Sequence, residues 1–124
     1  MPPVDRLDSR EYVWREGEAA ALARYRDAGY RVVARNWRCR MGEIDLIVAR
    51  DDLVVFCEVK ARRGGAFGSP YEAVGWKKQR KLQMLAQAFL AAGGSVPTTI
   101  RFDVASVTMD ASGRAAVHVF EQAF

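Results

Sequence analysis

GEIDLIVARDDLVVFCEVKARR, residues 42–63, is the segment from which the topology of this chain can be worked out. Two stretches within it, 43–50 and 53–60, are rich in Ile, Leu and Val, a composition typical of β-strands. The polar pair Asp51-Asp52 between them is of the kind that tight turns use. The segment therefore predicts a β-hairpin, and the pairing of its strands determines which side chains meet.

The register of this hairpin follows from the position of its turn. With Asp51-Asp52 at the tip, Arg50 lies opposite Leu53. Counting back along both strands then places Asp45 opposite Glu58. The other face is wholly apolar and consists of Ile44, Leu46, Val48, Val55, Cys57 and Val59. A slip by one residue would put carboxylates into the core, whereas a slip by two would keep the faces but loosen the pairing of the two acids.

The two opposed acids predict a cation site. Opposed carboxylates repel each other, and a hard ion between Asp45 and Glu58, Mg²⁺ or Mn²⁺, would remove the repulsion, because these ions prefer oxygen ligands. Lys60 follows Glu58 by two residues and so points to the same face. An ion beside a lysine suits phosphate chemistry, since the ion polarises the phosphoryl group and the amine orients water or steadies charge. The alternative interpretation is an exposed polar face with a Glu43–Lys60 ion pair.

An Asp, a short hairpin and Glu-Val-Lys together resemble the PD-(D/E)xK signature of restriction-endonuclease-like nucleases and archaeal Holliday-junction resolvases. The chain is more closely similar to the small bacterial YraN-like proteins over residues 17–107, in the order and spacing of GEAAALARYRDAGYRVVARNWR, GEIDLI, VFCEVKAR, KKQRKL and RFDV. This resemblance implies a restriction-endonuclease-like fold and a nuclease role. Ile44 stands where the broader signature has its proline, which small resolvases also lack.

A first helix is predicted from the capping residue Asp8 to about Ala28, before Gly29. The apolar residues at helical spacing in it are Trp14, Ala21, Leu22, Tyr25 and Ala28. Glu18 falls in the same stripe, where burying an acid is costly unless a partner compensates it. One interpretation is that Glu18 lies at the rim, where it either reaches water or pairs with an arginine. The resemblance to resolvases implies the other, in which Glu18 is a third metal-binding and catalytic carboxylate.

A segment that mixes arginine with tryptophan, residues 36–42, connects the first predicted strand, 30–35, to the hairpin. Such a mixture suits a phosphate backbone and an unstacked base. We therefore expect Arg38 to bind nucleic acid. Trp37 is equally suited to core packing.

Two further basic stretches follow Lys60. Residues 62–68 form a Gly-rich loop, and we expect Arg62 and Arg63 in it to contact phosphate, because arginine binds phosphate in a bidentate manner. The second stretch, residues 76–81, is the densest basic cluster of the chain. It lies toward the end of a predicted helix that is nearer the loop, and this placement determines which of its side chains reach the hairpin.

The second helix is predicted to begin at Ser69-Pro70 and to end at Gly93-Gly94. Its inner stripe consists of Leu82, Leu85, Ala86, Phe89 and Leu90. Traced back by three and four residues, the stripe reaches Lys78 and Gln79, which should therefore point toward the site. We expect both of them, and Arg80 beside them, to bind nucleic acid.

Two more strands, 98–109 and 115–120, are predicted to pair in antiparallel fashion. Arg101 and Asp103 share a face of the first and are expected to form a structural ion pair or to contact the first helix. The element order is then α-β-β-β-α-β-β, with an antiparallel meander followed by a helical crossover. This predicts an α/β fold with a mixed sheet flanked by helices, which agrees with the restriction-endonuclease-like fold that the resemblance implies.

The composition limits the remaining alternatives. With 124 residues the chain can form one domain, and we expect a flexible lead, residues 1–8, before a single domain, residues 9–124. The net charge of +4 fits a polyanionic partner. Cys39 and Cys57 form no C-x-x-C pair, so free thiols are expected and a zinc site is not. The chain has no apolar run typical of a signal peptide or a membrane span, and we expect a cytoplasmic protein.

Together these patterns predict a Mg²⁺-dependent (or Mn²⁺-dependent) endonuclease that hydrolyses phosphodiester bonds in DNA, including branched or repair intermediates. A homodimer is expected, because nucleases of this fold that process two strands often act in pairs. A non-catalytic nucleic-acid-binding module on an inactive nuclease fold is the principal alternative. A purely protein-interacting domain is a third, which the basic loop and helix disfavour.

Overall fold

The computed structural model describes residues 9–64, 75–93, 97 and 99–124. Its helices and strands are α1 Ser9–Asp27, β1 Arg31–Cys39, β2 Gly42–Arg50, β3 Leu53–Arg63, α2 Trp76–Gly93, β4 Thr99–Met109 and β5 Ala115–Phe120. Their order is the one predicted from the sequence. The expected flexible lead, residues 1–8, lies outside the described residues.

The five strands form one mixed sheet in the order β1-β2-β3-β4-β5. The pairs β1–β2, β2–β3 and β4–β5 are antiparallel, whereas β3 and β4 are parallel. A parallel pair needs a long crossover connection, and α2 lies in the connection between these two strands. The meander followed by a helical crossover is thus confirmed, and with it the mixed α/β fold expected from the sequence.

The two helices cover opposite faces of the sheet. On the α1 side, Leu22 and Tyr25 pack with Leu46, Val48, Val55 and Cys57. On the α2 side, a second apolar cluster contains Ile47, Phe56, Leu82, Leu85 and Ala86. Because successive residues of a strand point to opposite faces, the members from β2 and β3 in the two clusters lie on the two sides of one sheet. Both faces of the central strands are therefore buried.

The hairpin register agrees with the sequence prediction. Arg50 pairs with Leu53, and the ladder continues to Leu46 and Cys57 without a shift. Asp51 at the tip has φ of 53°, a left-handed conformation that Asp and Asn adopt more readily than other non-glycine residues. The turn therefore fixes the register that brings Asp45 next to β3.

One face assignment was wrong. The regular alternation of β2 put Ile44 on the same face as Leu46, but Ile44 packs with Ile47 on the α2 side. The change of face occurs opposite Asn36, which has φ of 52° and interrupts the alternation of β1. Periodicity alone could not reveal this reversal, because it assumes that both strands stay extended.

Helix α1 ends at Asp27, close to the predicted position, and its buried side contains Val13, Gly17, Ala21, Leu22 and Tyr25. Trp14 is only partly buried, because Val13 takes the inner position in the first turns. At Gly17 the helix comes closest to the sheet, since an added Cβ there would overlap the Cβ of Ala61 and lie 3.7 Å from its Cα. This glycine sets the distance between α1 and β3.

Helix α2 begins at Trp76, directly after the non-helical Gly75, and it ends at Gly93, where the sequence predicted its end. The predicted start at Ser69-Pro70 lies outside the described residues. Leu82, Leu85 and Ala86 are buried as expected. Among the described residues, neither helix has the length and apolar character that crossing a membrane requires.

The ion pair predicted on β4 is present and joins α1 to the sheet. Arg101 Nε and Nη2 donate to the two carboxylate oxygens of the fully buried Asp103 at 2.8 and 2.9 Å. The Tyr25 hydroxyl donates to Asp103 Oδ2 at 2.7 Å, and the backbone N–H of Gln122 donates to Oδ1 at 3.2 Å. Burial and the nearby charges raise the pKa of Tyr25, so its hydroxyl keeps the proton that it donates. The network is structural and satisfied.

The close approach at Gly17 predicts the effect of a single methyl group. Gly17→Ala should destabilise the protein by roughly 1–2 kcal/mol, because overpacking against Ala61 outweighs the better helix propensity of alanine. Gly93→Ala is the matched control, since no atom lies within 4 Å of a Cβ added there, and it should be neutral or slightly stabilising. Urea unfolding of the three proteins measures the difference. Equal stability of Gly17→Ala and wild type would contradict this account of helix placement.

Candidate functional site

The antiparallel ladder between β2 and β3 ends at Leu46 and Cys57. Beyond that point β2 continues along β1, and β3 continues along β4. Asp45 is the first residue of β2 past the ladder, and its Oδ2 accepts a hydrogen bond from the backbone N–H of Val59 at 2.8 Å. A side chain therefore takes the place of the backbone acceptor where the two strands separate.

Asp45 lies where its ionised form is disfavoured, with 9% of its surface exposed. Its pKa is raised to about 7, most strongly by burial and next by the negative charge of Glu58. The charges of Glu18 and Glu43 add to this effect, whereas the hydrogen bond from Val59 opposes it. In the described part of the chain, no lysine or arginine lies within ion-pair distance of Asp45. Its charge is thus the least compensated in the neighbourhood.

Glu58 lies across the strand gap and has a cationic partner. It is 8% exposed, and its Oε1 lies 2.8 Å from Lys78 Nζ, which reaches it from the first turns of α2. Burial alone would lower the pKa of Lys78, but the hydrogen bond and charge of Glu58 outweigh burial and raise it. The sequence placed Lys78 on the inward side of the helix, and the structure brings it to the predicted site.

Lys60 completes the group. Burial lowers its pKa, the neighbouring Lys78 lowers it further, and the charges of Glu58 and Asp45 act in the opposite direction. We call Asp45, Glu58, Lys60 and Lys78 the acid–lysine cluster, because each of them affects the ionisation of at least one other. Beside it, Glu43 accepts a hydrogen bond from Arg38 Nε at 2.8 Å, so this acid is engaged with an arginine of β1.

Glu18 is buried more deeply than a rim position would be, with 1% of its surface exposed. Its Oε1 accepts hydrogen bonds from Arg35 Nη2 at 3.1 Å, Arg35 Nε at 3.3 Å and Asn36 Nδ2 at 3.0 Å. Of the two interpretations left open by the sequence, pairing with an arginine is therefore present. The charge of Glu18 still reaches Asp45 and raises its pKa, so a role at the metal site stays a prediction.

The donor set of the cluster fits a hard divalent cation in its chemistry. Asp45 and Glu58 offer carboxylate oxygens, the ligands that Mg²⁺ and Mn²⁺ prefer. The charge of Asp45 is not balanced by an ion pair with a described residue. Within the described ranges, no three His, Cys, Asp or Glu side chains converge as a group that could hold a metal ion. Asp45 and Glu58 are therefore the residues that could hold an ion, and further ligands would come from other donor types, from water or from substrate.

A small cavity lies beside Glu58. Its volume is about 110 Å³, and it is lined by Glu43, Glu58, Lys78, Lys81, Leu82 and Leu85. A space of this size holds a few water molecules or a hydrated ion, because one water occupies about 30 Å³ in the liquid. The larger groups of a substrate would have to approach from the surface.

The basic residues expected to bind nucleic acid occupy several surfaces. Arg62 and Arg63 are exposed at the end of β3 and line a cavity of about 440 Å³ together with Arg10, Val13 and Ala61. Arg80 is exposed on α2, two residues after Lys78, and Gln79 is partly buried beside it. Arg38 is exposed and bound to Glu43. Trp37 packs edge-on against Phe89, which favours its core-packing interpretation.

Sequence reasoning missed Arg35 and Asn36 as the partners of Glu18. Regular alternation would place these consecutive residues on opposite faces of β1, yet both contact the same carboxylate oxygen. The signal was the asparagine itself, because Asn is several-fold enriched among residues with positive φ. An asparagine within a strand can therefore indicate a position where the side chains change face.

Comparison with known proteins agrees with the sequence resemblance. The family model described as "Uncharacterised protein family UPF0102" matches residues 17–107. A UPF0102 protein of Moorella thermoacetica is 43% identical over 87% of this chain and 91% of its own length. UPF0102 proteins of Symbiobacterium thermophilum (47% identical; 87% and 92% covered) and Nocardia farcinica (41%; 96% and 94%) are similar. The YraN-like resemblance is thus confirmed, and the chain belongs to the uncharacterised protein family UPF0102.

Proposed function

We propose that this protein is a Mg²⁺- or Mn²⁺-dependent nuclease that hydrolyses phosphodiester bonds in DNA. The observation that carries the proposal is the acid–lysine cluster at the point where β2 and β3 separate. Burying two carboxylates beside two lysines costs free energy, because the charged groups lose their hydration on folding. Titratable groups so strongly perturbed by burial and by one another are concentrated at functional sites.

The carboxylates would hold the metal. Asp45 is fixed by the N–H of Val59, and Glu58 is fixed by Lys78, so neither acid is free to turn away. Glu18 supports them as a third acid, positioned by Arg35. When bound, a divalent ion supplies Lewis-acid polarisation of the phosphoryl group.

Lys60 is the proposed general base or water-orienting group. Its lowered pKa increases the fraction of neutral amine, the form that can accept a proton at Nζ, and its position beside Glu58 and Asp45 keeps the amine at the acids. In its protonated form the same nitrogen would neutralise charge that develops on the phosphate. Lys78 pairs with Glu58 and holds its carboxylate in place.

The substrate-binding surface is proposed to be basic. Arg62 and Arg63 follow Lys60 directly along β3 and are exposed, as is Arg80 on α2. Guanidinium groups bind phosphate in a bidentate manner, and the net charge of +4 favours a polyanion. The preference for DNA over RNA, the homodimer and the cytoplasmic location stay predictions.

A second candidate, a non-catalytic nucleic-acid-binding module, is favoured by one specific observation. Lys78 already neutralises Glu58, so part of the negative charge of the cluster is balanced by the protein itself. A site of this kind could bind phosphate through its arginines without a metal. Metal binding and cleavage therefore separate the two candidates.

The first prediction from the proposed function concerns metal affinity. Asp45→Asn keeps an oxygen that can accept the Val59 N–H but removes the charge, so it should fold and bind Mg²⁺ or Mn²⁺ at least about tenfold more weakly than wild type. Isothermal titration calorimetry of metal-free protein, with and without DNA, measures this. Glu11→Gln, an exposed acid of α1, is the control and should bind as wild type does. If wild type binds no divalent ion at millimolar concentration in either condition, the nuclease proposal fails and the binding module remains.

The second prediction concerns cleavage. Lys60→Ala should reduce metal-dependent cleavage by on the order of a hundredfold or more, because a positioned acid–base group contributes at least that much. A panel of branched, flapped, linear duplex and RNA substrates identifies the substrate at the same time. Lys77→Ala, an exposed lysine of the same helix as Lys78, is the control and should cleave normally. Wild-type activity in Lys60→Ala would exclude the role assigned to this amine.

The third prediction concerns pH. Because the pKa of Asp45 is raised to about 7 in the folded protein, its proton is held more tightly than in the unfolded chain. Stability from this group is therefore full below about pH 4 and decreases as the pH rises through 7, by on the order of a few kcal/mol. Urea unfolding in EDTA between pH 5 and pH 8 should show the decrease in wild type and a flatter profile in Asp45→Asn. Parallel profiles for the two proteins would contradict the assignment.

A further inference from the structure

The described hydrogen bonds to the Glu18 carboxylate all fall on one of its two oxygens. Three N–H groups from Arg35 and Asn36 donate to Oε1, whereas Oε2 is buried and has no hydrogen-bond partner among the described residues. An arginine fork usually binds both oxygens of a carboxylate, one nitrogen to each. Here both nitrogens of the fork contact the same oxygen, and the other is left open inside the protein.

Asn36 has the same feature. Its Nδ2 donates to Glu18 Oε1 at 3.0 Å, while its Oδ1 is buried and also without a hydrogen-bond partner in the described structure. The amide and the carboxylate are in direct contact through that bond, so the two open oxygens belong to adjacent groups. The left-handed backbone at Asn36, with φ of 52°, is what turns this side chain toward α1 beside that of Arg35.

Two adjacent open acceptors are unfavourable in a folded protein. A buried polar atom without a partner loses its hydration without replacement, and an ordered water or a cation usually fills that role. No donor in the described ranges is bonded to either oxygen. The pair can therefore receive a ligand that the described residues do not provide.

The surrounding charge favours a cation over water. Arg35 balances Glu18, and Lys78 balances Glu58, but Asp45 has no cationic partner in the described part of the chain. Asn36 lies directly opposite Asp45, between the β1–β2 pairs Arg35–Leu46 and Trp37–Ile44, so its open oxygen is next to this acid. A lone water molecule would satisfy the open oxygens and leave the charge of Asp45 uncompensated, whereas a hydrated divalent ion satisfies the oxygens and balances the charge.

We propose that Asn36 is a metal-binding residue, whose Oδ1 coordinates the divalent cation held by Asp45, while Glu18 Oε2 accepts a hydrogen bond from a water of that cation. The amide carbonyl is a suitable ligand, because side-chain carbonyls of Asn bind hard cations as carboxylates do. This inference rests on the proposed function, since it concerns the same ion. It explains why Glu18 is held by its other oxygen: Arg35 and Asn36 orient the carboxylate while Oε2 stays open.

Metal affinity without DNA tests the proposal apart from activity. Asn36→Gly preserves the backbone, because glycine adopts positive φ readily, but it removes Oδ1 and should weaken Mn²⁺ binding at least about tenfold in calorimetry. Asn36→Asp places an anionic oxygen at the same position and should bind Mn²⁺ at least as tightly as wild type. Asp51→Gly is the matched control, because Asp51 has nearly the same φ of 53° but lies at the far end of the hairpin. It should bind as wild type does.

The outcomes separate this inference from the proposed function. Wild-type Mn²⁺ affinity in folded Asn36→Gly overturns the inference, because the open oxygens would then hold only water, and it leaves the nuclease proposal intact. If Asn36→Gly does not fold by circular dichroism, Asn36→Asp decides alone, and weaker Mn²⁺ binding than wild type in that folded variant overturns the inference. Failure of the wild-type protein to bind Mn²⁺ overturns the proposed function, and with it the inference.

Discussion

The hydrogen bond from the Val59 N–H to Asp45 Oδ2 is the contact on which the site depends. Val59 is buried, and its N–H lies just beyond the last pair of the β2–β3 ladder, where no strand carbonyl is in register to accept it. A buried N–H without an acceptor would be costly. Asp45 supplies the acceptor, and the two strands can then follow different neighbours without leaving a backbone group unsatisfied.

This bond holds a carboxylate where electrostatics disfavour it. Burial and three neighbouring acids oppose the ionised form of Asp45, and the hydrogen bond from Val59 offsets only part of that effect. Asp103, another buried acid, is fully compensated: it binds both nitrogens of an arginine fork, the hydroxyl of Tyr25 and a backbone N–H. The satisfied Asp103 thus contrasts with Asp45, whose charge no ion pair compensates among the described residues.

Much of the fold could be predicted from the sequence, because it depends on patterns that repeat every two to four residues. The hairpin register, the helix stripes and the crossover follow from alternation by two, spacing by three and four, and the residues of turns. The face of Ile44 and the partners of Glu18 could not be predicted, because both depend on the conformation of Asn36, a single residue in β1. The alternation pattern describes a whole strand, whereas a single residue in the left-handed conformation reverses locally which face the side chains point to.

The register itself shows how the turn and the charges compete. In a register shifted by two residues, Asp45 could lie opposite Lys60 and Glu43 opposite Arg62, which charge pairing alone would favour. That arrangement would lengthen the tip of the hairpin and draw the strand residues Leu53 and Val54 into it. The two-residue turn, with Asp51 in the left-handed conformation, keeps these apolar residues in the sheet and the apolar pairs in place. The turn thus imposes the proximity of Asp45 and Glu58 against their charges, and apolar burial stabilises an arrangement in which Asp45 has no ion-pair partner among the described residues.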